Sequence, residues 1–202
     1  MSYRVKWNKS PNPQSGNQKE KLKLLKKIHA NYIFPLWGLG GFYFNSKNEH
    51  GVHSPFVFDL VTKCFYTSEF PIENSTYLST NKLILKTIHY LNLKNCVRFD
   101  VLDKVPTTID GLIVSSFSLN DFSIEKILPF CKNETCIFIE NIHQTKANEK
   151  IWKRLHQHET ITCSIETFNL GFLFIRKEQK KEHFIINPNK TITSRIFERI
   201  RF

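Results

Sequence analysis

The sequence predicts an α/β protein whose mainly parallel sheet is covered on both faces and closes in an antiparallel hairpin, with helices ahead of it. Three observations point there. Apolar residues upstream of Asn95 recur at helical spacing, whereas downstream short apolar runs alternate with helical stretches. The run Thr135–Glu140 (TCIFIE) is continuously β-branched or aromatic, as in a strand buried on both faces. Two closing runs, Thr160–Thr167 and Gly171–Arg176, flank the tight turn Phe168-Asn169-Leu170.

The composition supports a folded core. The chain has 202 residues, 41% of them hydrophobic, with 18 Phe, which excludes a disordered chain and gives room for one domain with appendages or two small ones. No apolar run reaches the roughly 18 residues of a membrane span; Tyr32–Phe44 is too short and carries Pro35 and three glycines. The first residues lack the apolar stretch of a secretory signal, so the expected compartment is the cytoplasm.

Taken in order, residues 1–18 are polar and read as a flexible arm, followed by an amphipathic helix over Lys19–Ile33. Leu22, Leu25 and Ile28 form its apolar stripe, with Lys19, Lys23, Lys26 and Lys27 on the other side, and Pro35 ends or kinks it. The following LWGLGGFYF segment reads as a hydrophobic turn packed on the body, with a partner-binding patch as the other reading. Ser54-Pro55 opens a helix, with the serine at the cap and proline at the first helical position. Residues 71–79 read as loop. Thr80–Leu93 is a helix with Leu83, Leu85, Ile88 and Leu91 facing inward. Strands follow at Cys96–Val101 and Leu112–Ser115, then a helix over Ser123–Phe130, the Thr135–Glu140 strand, and a helix over Gln144–His156 around Ala147, Ile151, Trp152 and Leu155. A short helix over Thr193–Arg201 closes the chain. The expected organisation is a basic arm and helix start (1–30), a helical region (31–93), an α/β domain (94–187) and a basic tail (188–202).

The charge is uneven. The whole chain carries +11, and residues 1–30 hold eight Lys or Arg against Glu20 alone, a net +7. A basic arm on a balanced body suits an anionic partner, RNA or an acidic membrane surface, or serves as a solubilising tail. The expected phosphate contacts are Arg4, Lys6, Lys9, Lys19, Lys23, Lys26 and Lys27 in the arm and Arg195, Arg199 and Arg201 in the tail, with Tyr3 and Trp7 placed to stack on unpaired bases. The five cysteines (64, 96, 131, 136, 163) contain no C-x-x-C pair and read as small buried hydrophobes. His143, His156 and His158 read as surface histidines, and Trp152 as core. Ser115-Ser116 lacks the glycines of a nucleophile elbow.

Residues 50–63, HGVHSPFVFDLVTK, resemble the N-terminal signature of a family of bacterial class I S-adenosylmethionine (SAM)-dependent methyltransferases. Phe168–Phe184, FNLGFLFIRKEQKKEHF, is similar to that family's C-terminal hairpin and tail, and Ile127-Leu128-Pro129 and Ile137–His143 resemble its fourth-helix end and fifth strand. The resemblance covers roughly residues 44–187 and implies a Rossmann-like, doubly wound sheet. Its cofactor turn, a glycine-rich loop after the first strand, is missing: between Gly51 and Gly171 the sole glycine is Gly111. About ten residues stand where the family has its second and third strands with their helices, and either a parallel crossover or an antiparallel hairpin fits that link. The family's metal-binding acids are also altered. Ser115 replaces the acid after the fourth strand, and Glu140-Asn141 replaces the acidic pair after the fifth, leaving a weak ion ligand or a plain strand-end cap.

The resemblance and these losses together imply a catalytically degenerate, methyltransferase-like protein without catalytic, cofactor-binding or metal residues. It would act by binding RNA or a ribonucleoprotein such as the ribosome. An active SAM-dependent O-methyltransferase, which would need SAM, is the alternative. A non-catalytic subunit of a paralogous enzyme, or a membrane-surface protein, is a further one.

Overall fold

In the computed structural model, the residues described are 42, 45–47, 51–67, 81–101 and 107–189. They form an α/β fold around a six-stranded mixed sheet. The strands are β1 (Cys96–Arg98), β2 (Ile109–Val114), β3 (Cys131–Glu140), β4 (Cys163–Glu166), β5 (Leu170–Phe174) and β6 (Glu182–Ile185), in the spatial order β1-β2-β3-β5-β4-β6. Strands β1, β2 and β3 run parallel. β5 is antiparallel to both neighbours, and β6 lies parallel to β4 at the edge.

Helix α1 (Pro55–Leu60) starts as expected, with Ser54 as its cap and Pro55 in the first turn, and continues as a π-helical turn over Val61–Phe65. Asn81 caps α2 (Lys82–Tyr90) by accepting from the Leu83 amide at 3.0 Å. Ile84, Leu85, Thr87 and Ile88 are its buried residues, while Leu83 and Leu91 lie half-buried against the core. α3 (Ile124–Ile127) runs into a 3-10 turn over Leu128–Phe130, and α4 (Lys146–Gln157) begins at Thr145, whose hydroxyl accepts from the Asn148 amide at 3.1 Å.

Strand alternation splits the core into two layers. Ile113, Cys136, Phe138, Ile165, Phe172 and Phe174 face one way and pack under α1 and α2. Leu112, Val114, Ile137, Ile139 and Leu173 face the other way, under α3 and α4.

Several boundaries differ from the sequence reading. β1 ends at Arg98, and Phe99–Val101 wind into a 3-10 turn in which the Asp100 carboxylate folds back on the Arg98 guanidinium. β2 starts three residues earlier than read, because Asp110 is spent on capping the Lys94 and Asn95 amides rather than on breaking the strand. β3 starts at Cys131 and carries a bulge, with pairing jumping from Ile109↔Cys131 to Gly111↔Cys136. Exposed Lys132, Asn133 and Glu134 occupy it, which is why only its second half reads as apolar; Thr135 donates to the Ile109 carbonyl at 2.7 Å and anchors its end. β6 was not anticipated; of its four residues, EHFI, Phe184 alone is buried. The link left open in the sequence is resolved as parallel, because β1 and β2 pair in parallel with no α-helix among the described residues between them.

Candidate functional site

Ligands of open α/β sheets sit outside the carboxyl ends of the strands. On this rim the chain places two polar clusters. At the end of β1, Arg98 Nε and Nη2 donate to the two Asp100 oxygens, both at 3.1 Å, and Glu140 at the end of β3 approaches Nη2 at 3.8 Å. The guanidinium fork matches the carboxylate, the strong two-bond form of this pair. After β2, Ser115 and Ser118 hydroxyls are 3.0 Å apart, and Phe117 projects with 90% of its surface exposed. Asn141, directly after Glu140, takes φ 56°, a left-handed conformation asparagine tolerates, and its carbonyl accepts from Asn148 Nδ2 at 3.2 Å.

The second cluster centres on Glu166, at the end of β4 beneath α4. Its side chain is 12% exposed. One oxygen meets His143 Nε2 at 2.9 Å, and the other accepts from Trp152 Nε1 at 2.6 Å and faces His183 Nε2 at 3.6 Å. Ser164 and His183 Nδ1 are 2.8 Å apart. The His183 ring lies flat on His156, with centroids 4.2 Å apart and planes 15° from parallel. Phe168 stacks on His143 at 6.0 Å and takes an edge contact from Phe42 at 5.7 Å.

The sheet register explains the convergence. Ser164 and Glu166 are two residues apart on β4, so both face α4, and Ser164 pairs with His183 across to β6. Trp152 and His156 are one turn apart on α4 and come down on that pair. Gly171 on β5 makes the space: a Cβ there would lie 2.6 Å from Trp152 Cε3 and Cη2.

The electrostatics follow from the contacts. Burial alone would push the Glu166 carboxyl up, but His143, His183 and Trp152 together outweigh it and hold the group well below the usual carboxylate range. Burial, reinforced by the neighbouring His183, lowers His156 to about 4. Two unit charges about 4 Å apart repel by about 4 kcal/mol at an effective dielectric of 20, so the stacked pair resists double protonation.

Among the described residues no three His, Cys, Asp or Glu side chains form a group that could hold a metal ion. Ser164 is 2% exposed, too buried to serve as a nucleophile. Three expectations are corrected. His143, His156 and His158 are half-buried rather than plain surface histidines: His143 is tied to Glu166, His156 is stacked on His183, and His158 Nδ1 lies 2.8 Å from the Thr160 hydroxyl. Glu166, His183 and Ser164 were missed; the available signal was polar residues on alternate positions of the strand Cys163–Glu166, below a Trp152/His156 pair at helical spacing.

The remaining site residues can be placed briefly. Arg4, Lys6, Lys9, Lys19, Lys23, Lys26, Lys27, Tyr3 and Trp7, like Arg195, Arg199 and Arg201, lie outside the described residues, as does the expected 193–201 helix. Cys64, Cys136 and Cys163 are buried, as expected, whereas Cys96 and Cys131 are half-buried. Burial raises all five thiols, Cys96 and Cys163 to about 12 and Cys64 and Cys131 to about 11, which leaves little thiolate to react. At the opposite rim a groove of about 650 Å³ runs between Phe56, Tyr90, Leu91 and Phe174. Its Arg176 lies 4.1 Å over Phe56 and pairs with Glu134 at 3.2 Å. No helix among the described residues is long and apolar enough to cross a membrane. Comparison with protein-family models, with curated proteins and with solved structures gives no match.

Proposed function

We propose that this chain is a methyltransferase-like protein that has lost its cofactor site and acts by binding RNA or a ribonucleoprotein such as the ribosome. The carrying observation is the turn after β1. A SAM site needs bare backbone there, and the chain offers instead the paired side chains of Arg98 and Asp100, in a stretch with no glycine from residue 52 to 110. The residues present do not fit the cofactor.

The strand order supports the same reading. Parallel strands β1, β2 and β3 followed by a reversed strand inserted before β4 are compatible with a Rossmann-like sheet whose second and third strands are reduced to the β1–β2 link. The charge supports a polyanion partner. Residues 1–30 carry +7 and residues 190–202 carry +3, so the body between them is nearly neutral at +1.

Calorimetry with SAM and binding of single-stranded RNA at two salt concentrations test the proposal. No heat is expected up to millimolar SAM. A protein neutralising about five phosphates should lose about two orders of magnitude in RNA affinity between 50 and 200 mM salt. Deleting residues 1–30 should flatten that slope. Saturable micromolar SAM binding would restore the enzyme reading. Binding to anionic vesicles without RNA binding would replace RNA by a membrane surface, and pulldown of a paralogous enzyme alone would make the chain its subunit.

A further inference from the structure

We propose that the His156–His183 stack, backed by Glu166, is an acid-sensitive latch that holds edge strand β6 and the end of α4 onto β4, and that protonating the stack opens this edge. Four elements meet at the latch: α4 through Trp152 and His156, β4 through Ser164 and Glu166, β6 through His183, and the turn after β3 through His143. The charged groups facing His156 are Lys153 on its own helix, Lys181 and His183 on the β6 side, and Glu166 on β4. Among the described groups that act on His156, Glu166 is the one carboxylate, and it is already engaged by His143 and Trp152. It balances one imidazolium; a second leaves the stack as two like charges pressed face to face. The lowered proton affinity of His156 agrees with this geometry. β6 is the element to yield, because it is an edge strand of four residues, held on its outer side by a bridge from Lys47 to Ile186.

The test is amide hydrogen exchange on the full-length chain at about pH 7.5 and about pH 5, corrected for intrinsic rates. The β6 amides should lose about tenfold in protection at the lower pH, while β2 and β3 change by less than about twofold. His156→Phe, which keeps a stacking ring without a proton, should cut the β6 change to within about threefold. Uniform loss across the sheet, or full pH dependence in H156F, overturns the latch. If H156F does not fold, an NMR titration of His156 in the unaltered protein decides: a midpoint well below 6.5 upholds the latch, and an ordinary midpoint overturns it.

Discussion

At the residue scale, Gly171 and Trp152 form one unit. The indole lies where a Cβ on residue 171 would sit, and a rigid ring on a helix cannot step aside without losing its bond to Glu166. Gly171→Ala should therefore cost about 1–3 kcal/mol in urea denaturation. Gly111→Ala offers a contrast, since its nearest neighbour is the Cys96 Sγ, the end of a short side chain that can rotate away; its loss should be smaller by the same assay. Trp152→Phe keeps the ring and removes the donor from a buried carboxylate, and should cost about 1.5–3 kcal/mol.

At the element scale, caps and strain set the expectations. Thr145 is the cap of α4 and also donates to Asn148 Oδ1 at 2.9 Å, so Thr145→Ala should lower stability by about 1 kcal/mol, read from the denaturation midpoint. Glu134 sits at φ 78° on the β3 bulge, in the region that favours glycine. Its pair with Arg176 is 65% exposed on the glutamate side and contributes little. Glu134→Gly should raise stability by up to about 1 kcal/mol in the same assay. These elements also show what the sequence makes legible. Ser54-Pro55 names its helix start because cap and proline act locally. TCIFIE names its strand because both faces are buried. The β3 bulge and β6 were hidden, because bulge residues are solvent-exposed and β6 is held by long-range pairing. The Glu166 cluster was hidden for a related reason. It assembles from residues 143, 152, 156, 164, 166 and 183, and only the sheet register brings them together.

At the scale of the whole molecule, the same cluster ties folding to pH. His156 binds its proton less readily folded than unfolded, so its contribution is complete above about pH 6.5 and is lost as pH falls toward about 4. Glu166, held low in the folded state, contributes fully above its unfolded value near 4.5 and loses that contribution below it. Both slopes have the same sign, so the thermal midpoint should fall continuously on acidification from about pH 6.5. His156→Phe should flatten the upper part of that profile and leave the part below about pH 4.5 to Glu166. A profile flat down to pH 4.5 in the unaltered chain would contradict the depressed His156. The separation of charge has a second whole-molecule consequence. With a nearly neutral body, added salt should leave the melting of residues 31–189 almost unchanged even where it abolishes polyanion binding.

The indole of Trp152 lies with its ring centre 5.4 Å from that of His156 and 6.2 Å from that of His183. Imidazolium quenches excited indole far more strongly than neutral imidazole does. With Trp7 and Trp37 replaced by Phe, the emission of the single remaining tryptophan would dim as the stack takes up protons, so the molecule carries its own optical gauge of the state of that seam.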